Sequence, residues 1–248
     1  MTAADAMKDP DIERMLADLK GALGANLAGA VLYGSAARGD FHAQTSDLNL
    51  LVVTRDLDVA TLEALTPALR RWAKRGHPPP RLFTPALLAE SADVFPIEML
   101  DLKHSRVVLQ GEDPLAAVEV GRENLRLQCE RELRAKLMRL REGYIECHDR
   151  PRELRRLLTS SYSTFVALFR GCLHLLGGEV PVHNAEVVAA FCARAGLEVE
   201  AFAAVDRLKR GEGADREPKA VFSRYYQELT RAVGKVDRFD SRQGGQGP

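Results

Sequence analysis

Tyr33-Gly34-Ser35-Ala36-Ala37-Arg38-Gly39, followed by Ser46-Asp47-Leu48-Asn49-Leu50-Leu51-Val52-Val53, decides how the first half of this chain is read. An apolar run, Ala30-Val31-Leu32-Tyr33, stops at Gly-Ser, and twelve residues beyond Ser35 an acid opens a second apolar run. Short apolar runs bounded by turn residues have the length of strands. Gly34 has no Cβ, so the chain can turn sharply there and let backbone come close to a ligand. Ser35 offers a hydroxyl and an amide, and the N–H groups of Ala36 to Arg38 are expected to open a short helix toward anionic oxygens. Arg38 adds a charge-assisted contact to the same oxygens. On the second strand, positions 47 and 49 share a face because strand side chains alternate.

That combination of strand, Gly-Ser, Arg-Gly, spacer, Ser-Asp and strand resembles the signature of the DNA polymerase β-like nucleotidyltransferase superfamily. The resemblance implies a Mg²⁺-dependent transfer of a nucleoside monophosphate from a nucleoside triphosphate to an acceptor. By it, Gly34 and Ser35 bind the triphosphate and Asp47 is a catalytic metal ligand, while Arg38 and Ser46 are further candidate nucleotide contacts. Two carboxylates at 47 and 49 would make a hard oxygen site for Mg²⁺, and two metals would clamp the attacking and leaving oxygens. Here the second position is Asn49, which brings an amide oxygen and no charge. A unit charge about 4 Å from a cation is worth about 4 kcal/mol at an effective dielectric of about 20, an upper value for what is missing. Asn49 is therefore carried over as a site contact only.

In that superfamily a third carboxylate comes from a later strand. The first candidate, Pro80-Arg81-Leu82-Phe83-Thr84, contains no acid. The next apolar run, Phe95-Pro96-Ile97-Glu98-Met99-Leu100-Asp101-Leu102, offers Glu98 and Asp101. Read as a strand, it puts them on opposite faces, and Glu98 is the candidate base.

Punctuation and period supply the rest of the first domain. Asp9 with Pro10 opens a helix whose stripe is Ile12, Met15, Leu16, Leu19 and Leu23. A helix from Val59 to Arg75 should end at Gly76. Thr84-Pro85 caps a brief helix to Ser91, and Arg106-Val107-Val108-Leu109 is expected to complete the sheet. The expected unit is a mixed α/β domain over residues 1–115, an ordinary domain size.

Beyond the Gly111-Glu112-Asp113-Pro114 turn the chain changes character. Leu125, Cys129, Leu133, Leu137, Leu140, Tyr144 and Cys147 recur at steps of four and three, one apolar stripe on a long helix. Leu157 to Leu176 is apolar nearly all round, which predicts a central buried helix ending at Gly177-Gly178. Helices near 185–195 and 198–210, and one opened by Pro218, complete a helical bundle over residues 116–240. Residues 241–248 are polar and Gly-rich and are expected to be a disordered tail. An α/β nucleotidyltransferase domain followed by a helical bundle resembles the bacterial kanamycin and streptomycin nucleotidyltransferases. There the helical domain closes one side of the cleft and helps bind the acceptor. The stretches Asp93–Pro114 and Leu125–Leu133 look like a bacterial branch that supplies no acceptor or activity.

Composition excludes some classes. Lys plus Arg and Asp plus Glu both number 35, so no whole-chain field points to nucleic acid or a membrane. Residues 1–121 hold 12 basic and 17 acidic side chains and the remainder 23 and 18, a mildly basic second half. Cys129, Cys147, Cys172 and Cys192 are widely spaced at apolar helical positions and read as reduced core residues. The sequence shows no signal peptide and no apolar run of spanning length, so cytoplasm is expected. His42, His148 beside Asp149, and His174 read as loop, helix-end and core histidines. Arg150, Arg152, Arg155 and Arg156 read as the polar face of a helix. Two other readings of the same fold are a nucleotide sensor without catalysis and a scaffold whose bundle binds a partner.

Overall fold

The computed structural model describes residues 3–6, 8–38, 48–177, 179–212 and 217–236. The chain divides into two compact units, Met1–Gly121 and Arg122–Pro248. In chain order the first holds α1 (Ala3–Ala6), α2 (Pro10–Leu23), a 3₁₀ turn, β1 (Leu27–Tyr33), α3 (Ser35–Arg38) and β2 (Asn49–Thr54). Then come α4 (Val59–Lys74), β3 (Arg81–Phe83), α5 (Pro85–Val94), α6 (Pro96–His104) and β4 (Arg106–Gly111).

The sheet order is β3-β2-β1-β4. β1 is antiparallel to both β2 and β4, while β2 and β3 run parallel. Helices cover both faces, which is why β1 and β2 read as unbroken apolar runs instead of alternating ones. On one face Ala30, Leu32, Leu50 and Val52 pack against Ile12, Met15 and Leu19 of α2 and Leu65 and Trp72 of α4. On the other, Val31, Leu51 and Val53 meet Leu88 and Ala92 of α5 and Met99 and Leu102 of α6. The helix ends follow the local chemistry. Asp9 accepts from the N–H groups of Asp11 and Ile12, Asp58 from Thr61, and Thr84 from Leu87, each capping a helix start. Trp72 donates its indole N–H to the Pro78 carbonyl at 2.8 Å, fixing the chain that leads from α4 into β3.

One expectation fails here. Residues 95–102 are not a strand: Pro96 sits in the first turn of α6, and the buried positions Pro96, Met99 and Leu102 are three apart. That is a helical spacing, and proline at the first turn of a helix costs nothing because the N–H there has no partner to lose. Glu98 and Asp101 thus lie on neighbouring positions of a helix surface and not on opposite faces of a strand. The strand over Arg106–Leu109 is present as β4.

The second unit is all helical: α7 (Arg122–Cys147), α8 (Pro151–Leu176), α9 (Asn184–Ala195), α10 (Val199–Lys209) and α11 (Pro218–Val236). Leu125, Cys129, Leu133, Leu137, Leu140 and Cys147 are buried along α7, as the stripe predicts. α8 is central and buries Tyr162, Phe165, Val166, Phe169, Cys172 and Leu173. Phe169 stacks on Phe191 of α9 at 4.1 Å between ring centroids and meets Phe202 of α10 edge-on at 5.4 Å. All four cysteines are free and buried. Among the described residues no helix is long and apolar enough to cross a membrane. The predicted tail, residues 241–248, lies outside the described residues.

Candidate functional site

The turn that the sequence singles out is built as expected on its described side. β1 ends at Tyr33, Gly34 takes φ +81°, and α3 starts at Ser35. That φ lies in the left-handed region, where a Cβ would meet the following carbonyl. The Gly34 N–H donates to the Ser105 carbonyl at 3.2 Å, so the turn is tied to the residue just before β4. Ala36 is buried with the α2–α4 core and anchors α3. Residues 39–47, and with them Ser46, Asp47 and His42, lie outside the described residues, as do the side chains of Ser35 and Arg38.

Asn49 opens β2 directly opposite Tyr33. A Cβ added to Gly34 would stand 3.4 Å from the Asn49 side-chain nitrogen, so the glycine turn meets the head of β2. Antiparallel partners share a face. Asn49 therefore shares one with Tyr33, and with Arg106, which lies opposite Tyr33 on β4. Arg81 lies opposite Leu51 on β3, and Leu51 has the parity of Asn49, so Arg81 is on this face too. Its guanidinium lies over the Tyr33 ring, 5.6 Å from the centroid. Because β2 separates β1 from β3, the Tyr33 side chain reaches across β2 to make that contact. Burial pushes the Tyr33 phenol above its ordinary pKa, and the hydrogen bond and charge of Arg81 only partly oppose it.

The two arginines are held differently. Arg106 donates twice to one Asp113 carboxylate oxygen, at 2.9 and 2.7 Å. Burial tends to raise the Asp113 pKa, but the Arg106 hydrogen bonds, the Leu115 N–H, and the charges of Arg106 and Lys103 bring it below the ordinary carboxylate value. Arg81 is exposed and has no carboxylate partner among the described residues. Glu98 is half-buried on the first turn of α6, one residue before Met99, which packs on the Val31–Leu51–Val53 face.

A pair of divalent cations does not fit the described donor set. Asn49 is neutral, β3 carries no acid, and the two side chains that β3 turns to this face are Arg81, a cation, and Phe83, which is apolar. Among the described residues no group of three or more His, Cys, Asp or Glu side chains is placed to hold a metal. Sequence reasoning did not single out Arg81, which the register and its contact with Tyr33 place on the Asn49 face. The available signal was an arginine in an otherwise apolar, acid-free strand.

Two of the other singled-out groups have ordinary local partners. His148 Nδ1 is 3.2 Å from the Ile145 carbonyl at the end of α7, and Arg150 pairs with Glu153 at 2.6 Å.

This four-stranded mixed sheet followed by a helical bundle is a fold shared with a solved adenyltransferase. Among solved structures, the chain is similar to a spectinomycin adenyltransferase, AAD(9), from Enterococcus faecialis, crystallised with ATP and spectinomycin. The TM-score is 0.55 at 13% sequence identity, over 92% of this chain and 98% of that one. No protein-family profile and no curated protein sequence matches the chain.

Proposed function

We propose that the α/β unit binds a nucleoside triphosphate at the β1–α3 turn and transfers a nucleoside monophosphate from it, slowly, to a hydroxyl of an acceptor. The observation that carries this reading is the meeting of Gly34, at φ +81°, with Asn49 at the head of β2. It joins the backbone turn that precedes Ser35 to the strand that follows Asp47. In the reaction the acceptor oxygen forms a bond to the α-phosphorus, the bond to the bridging oxygen breaks, and pyrophosphate leaves with that electron pair. Ser35, Arg38 and Ser46 are the proposed phosphate contacts, and Asp47 the proposed contact to the Mg²⁺ that arrives with the nucleotide. Glu98 is the proposed base for the acceptor proton, supported by α6 packing on the face that carries Asn49. The solved neighbour was crystallised with ATP and spectinomycin, which supports a small-molecule acceptor as the first class to try.

A second reading, a nucleotide sensor without transfer, draws on Asn49 and the acid-free β3. Calorimetric titration with each NTP, with and without Mg²⁺, tests the binding they share. Pyrophosphate release with ATP and spectinomycin or related acceptors separates them. Binding with no release across acceptors, in wild type and in Asn49→Asp alike, sinks the transferase reading and leaves the sensor.

A further inference from the structure

Resting on the nucleotide reading above, we propose that Arg81 is the cation that meets the triphosphate on the Tyr33–Asn49 face of the sheet. Part of the nucleotide's affinity would then be independent of the Mg²⁺ proposed at Asp47. Four observations lead there. Register places Arg81, Asn49 and Tyr33 on one face, next to the Gly34 turn. The Tyr33 ring carries the guanidinium across β2 toward that turn. Three other arginines of this unit are paired with carboxylates, Arg71 with Asp18 at 3.0 Å, Arg75 with Asp11 at 2.5 Å and Arg106 with Asp113 at 2.7 Å; of these only Arg106 lies on the Tyr33–Asn49 face. Arg81 has no such carboxylate among the described residues, so its charge is available to an anion.

The chemistry suits a phosphate. A guanidinium presents five N–H donors in a rigid fork that matches two phosphate oxygens. Stacking over a half-buried ring orders it beforehand, so less rotamer freedom is lost when an anion arrives. Asn49 adds an amide donor beside the same turn, a group that a triphosphate accepts from and a carboxylate would repel. A cation and an amide donor on one face of the sheet together suit a phosphate.

The test is titration of the full chain with ATP, and separately with inorganic tripolyphosphate, in EDTA and then in Mg²⁺. Wild type is expected to bind both in EDTA. Arg81→Gln should weaken that binding about tenfold, the loss of one charge-assisted contact. Arg81→Lys should recover part of it, because charge returns without the fork. Asn49→Asp should weaken binding in EDTA and restore it in Mg²⁺. Thermal melts of each variant check the fold, and Arg81→Lys, which keeps the stem on the Tyr33 ring, serves should Arg81→Gln melt early. Equal EDTA affinities for wild type and both Arg81 variants would overturn the role of Arg81 and leave the nucleotide reading standing. Binding by wild type only in Mg²⁺ would do the same. No binding of either ligand under any condition removes the nucleotide reading itself, and this inference with it.

Discussion

At the scale of single residues, two positions carry geometry that other side chains cannot reproduce. Gly34 sits at φ +81° with the Asn49 amide 3.4 Å from where a Cβ would lie. Gly34→Ala should cost about 1–2 kcal/mol in denaturant titration, since an L-residue is strained there. It should also weaken ATP binding by moving the Ser35 amide; unchanged affinity would detach the turn from the site. Gly111, at φ +77°, is tighter still: a Cβ there would stand 2.3 Å from the Ala28 carbonyl oxygen, so only glycine lets β4 end against β1. Asp113 supplies a pH prediction. Its folded pKa lies below the ordinary value of 3.8, so its pairing with Arg106 contributes stability above that value. This contribution is lost as the pH falls through the folded pKa. The stability gap between wild type and Asp113→Asn at pH 7 should therefore close as the pH drops below about 4, read from urea midpoints across that range.

Among elements, helix starts were the most legible features and chain pairing the least. Asp9-Pro10 marks α2 and Thr84-Pro85 α5, because a capping side chain acts on N–H groups two or three residues away; Asp58 caps α4 in the same way, though the sequence reading did not name it. Asp9 accepts at 2.9 and 3.3 Å from Asp11 and Ile12. Asp9→Ala should lower stability by about 1 kcal/mol in the same titrations, while Asp9→Ser should recover most of it. The start of α10 shows the opposite case. Its N-cap, Glu198, has no side-chain cap, and the Glu198 N–H instead donates at 2.9 Å to Glu228 on α11, a buried carboxylate that Arg231 also pairs. No local pattern announces a cap that comes from thirty residues away. The segment 95–102 misleads for a related reason: eight mixed apolar residues fit a buried strand or a short helix, and Pro96 decides for the helix.

For the molecule as a whole, each unit has its own core, and the helical unit's is aromatic. Phe169 is fully buried between Phe191 and Phe202. Phe169→Ala should destabilise that unit by about 3–5 kcal/mol, measured by calorimetric melting, and Phe169→Leu by less. A shift within error for Phe169→Ala would mean that the cluster does not carry the unit's stability.

By itself the sequence determined the sheet-then-bundle order, nearly all helix spans, the Gly-Ser turn and the loss of charge at Asn49. Period, capping and turn chemistry act within about one helical turn, so they can be read from neighbours in the chain. Only the tertiary structure decided the β3-β2-β1-β4 order, the helix over 96–104, and the meeting of Arg81 with Tyr33 across β2. Strand pairing follows from burying both faces of the sheet at once, a condition on residues from Ile12 to Val118 that no single stretch records. The candidate site falls between these cases. Its glycine turn was written locally, but the sign of the charge facing Asn49 was set by which strand lay beside it.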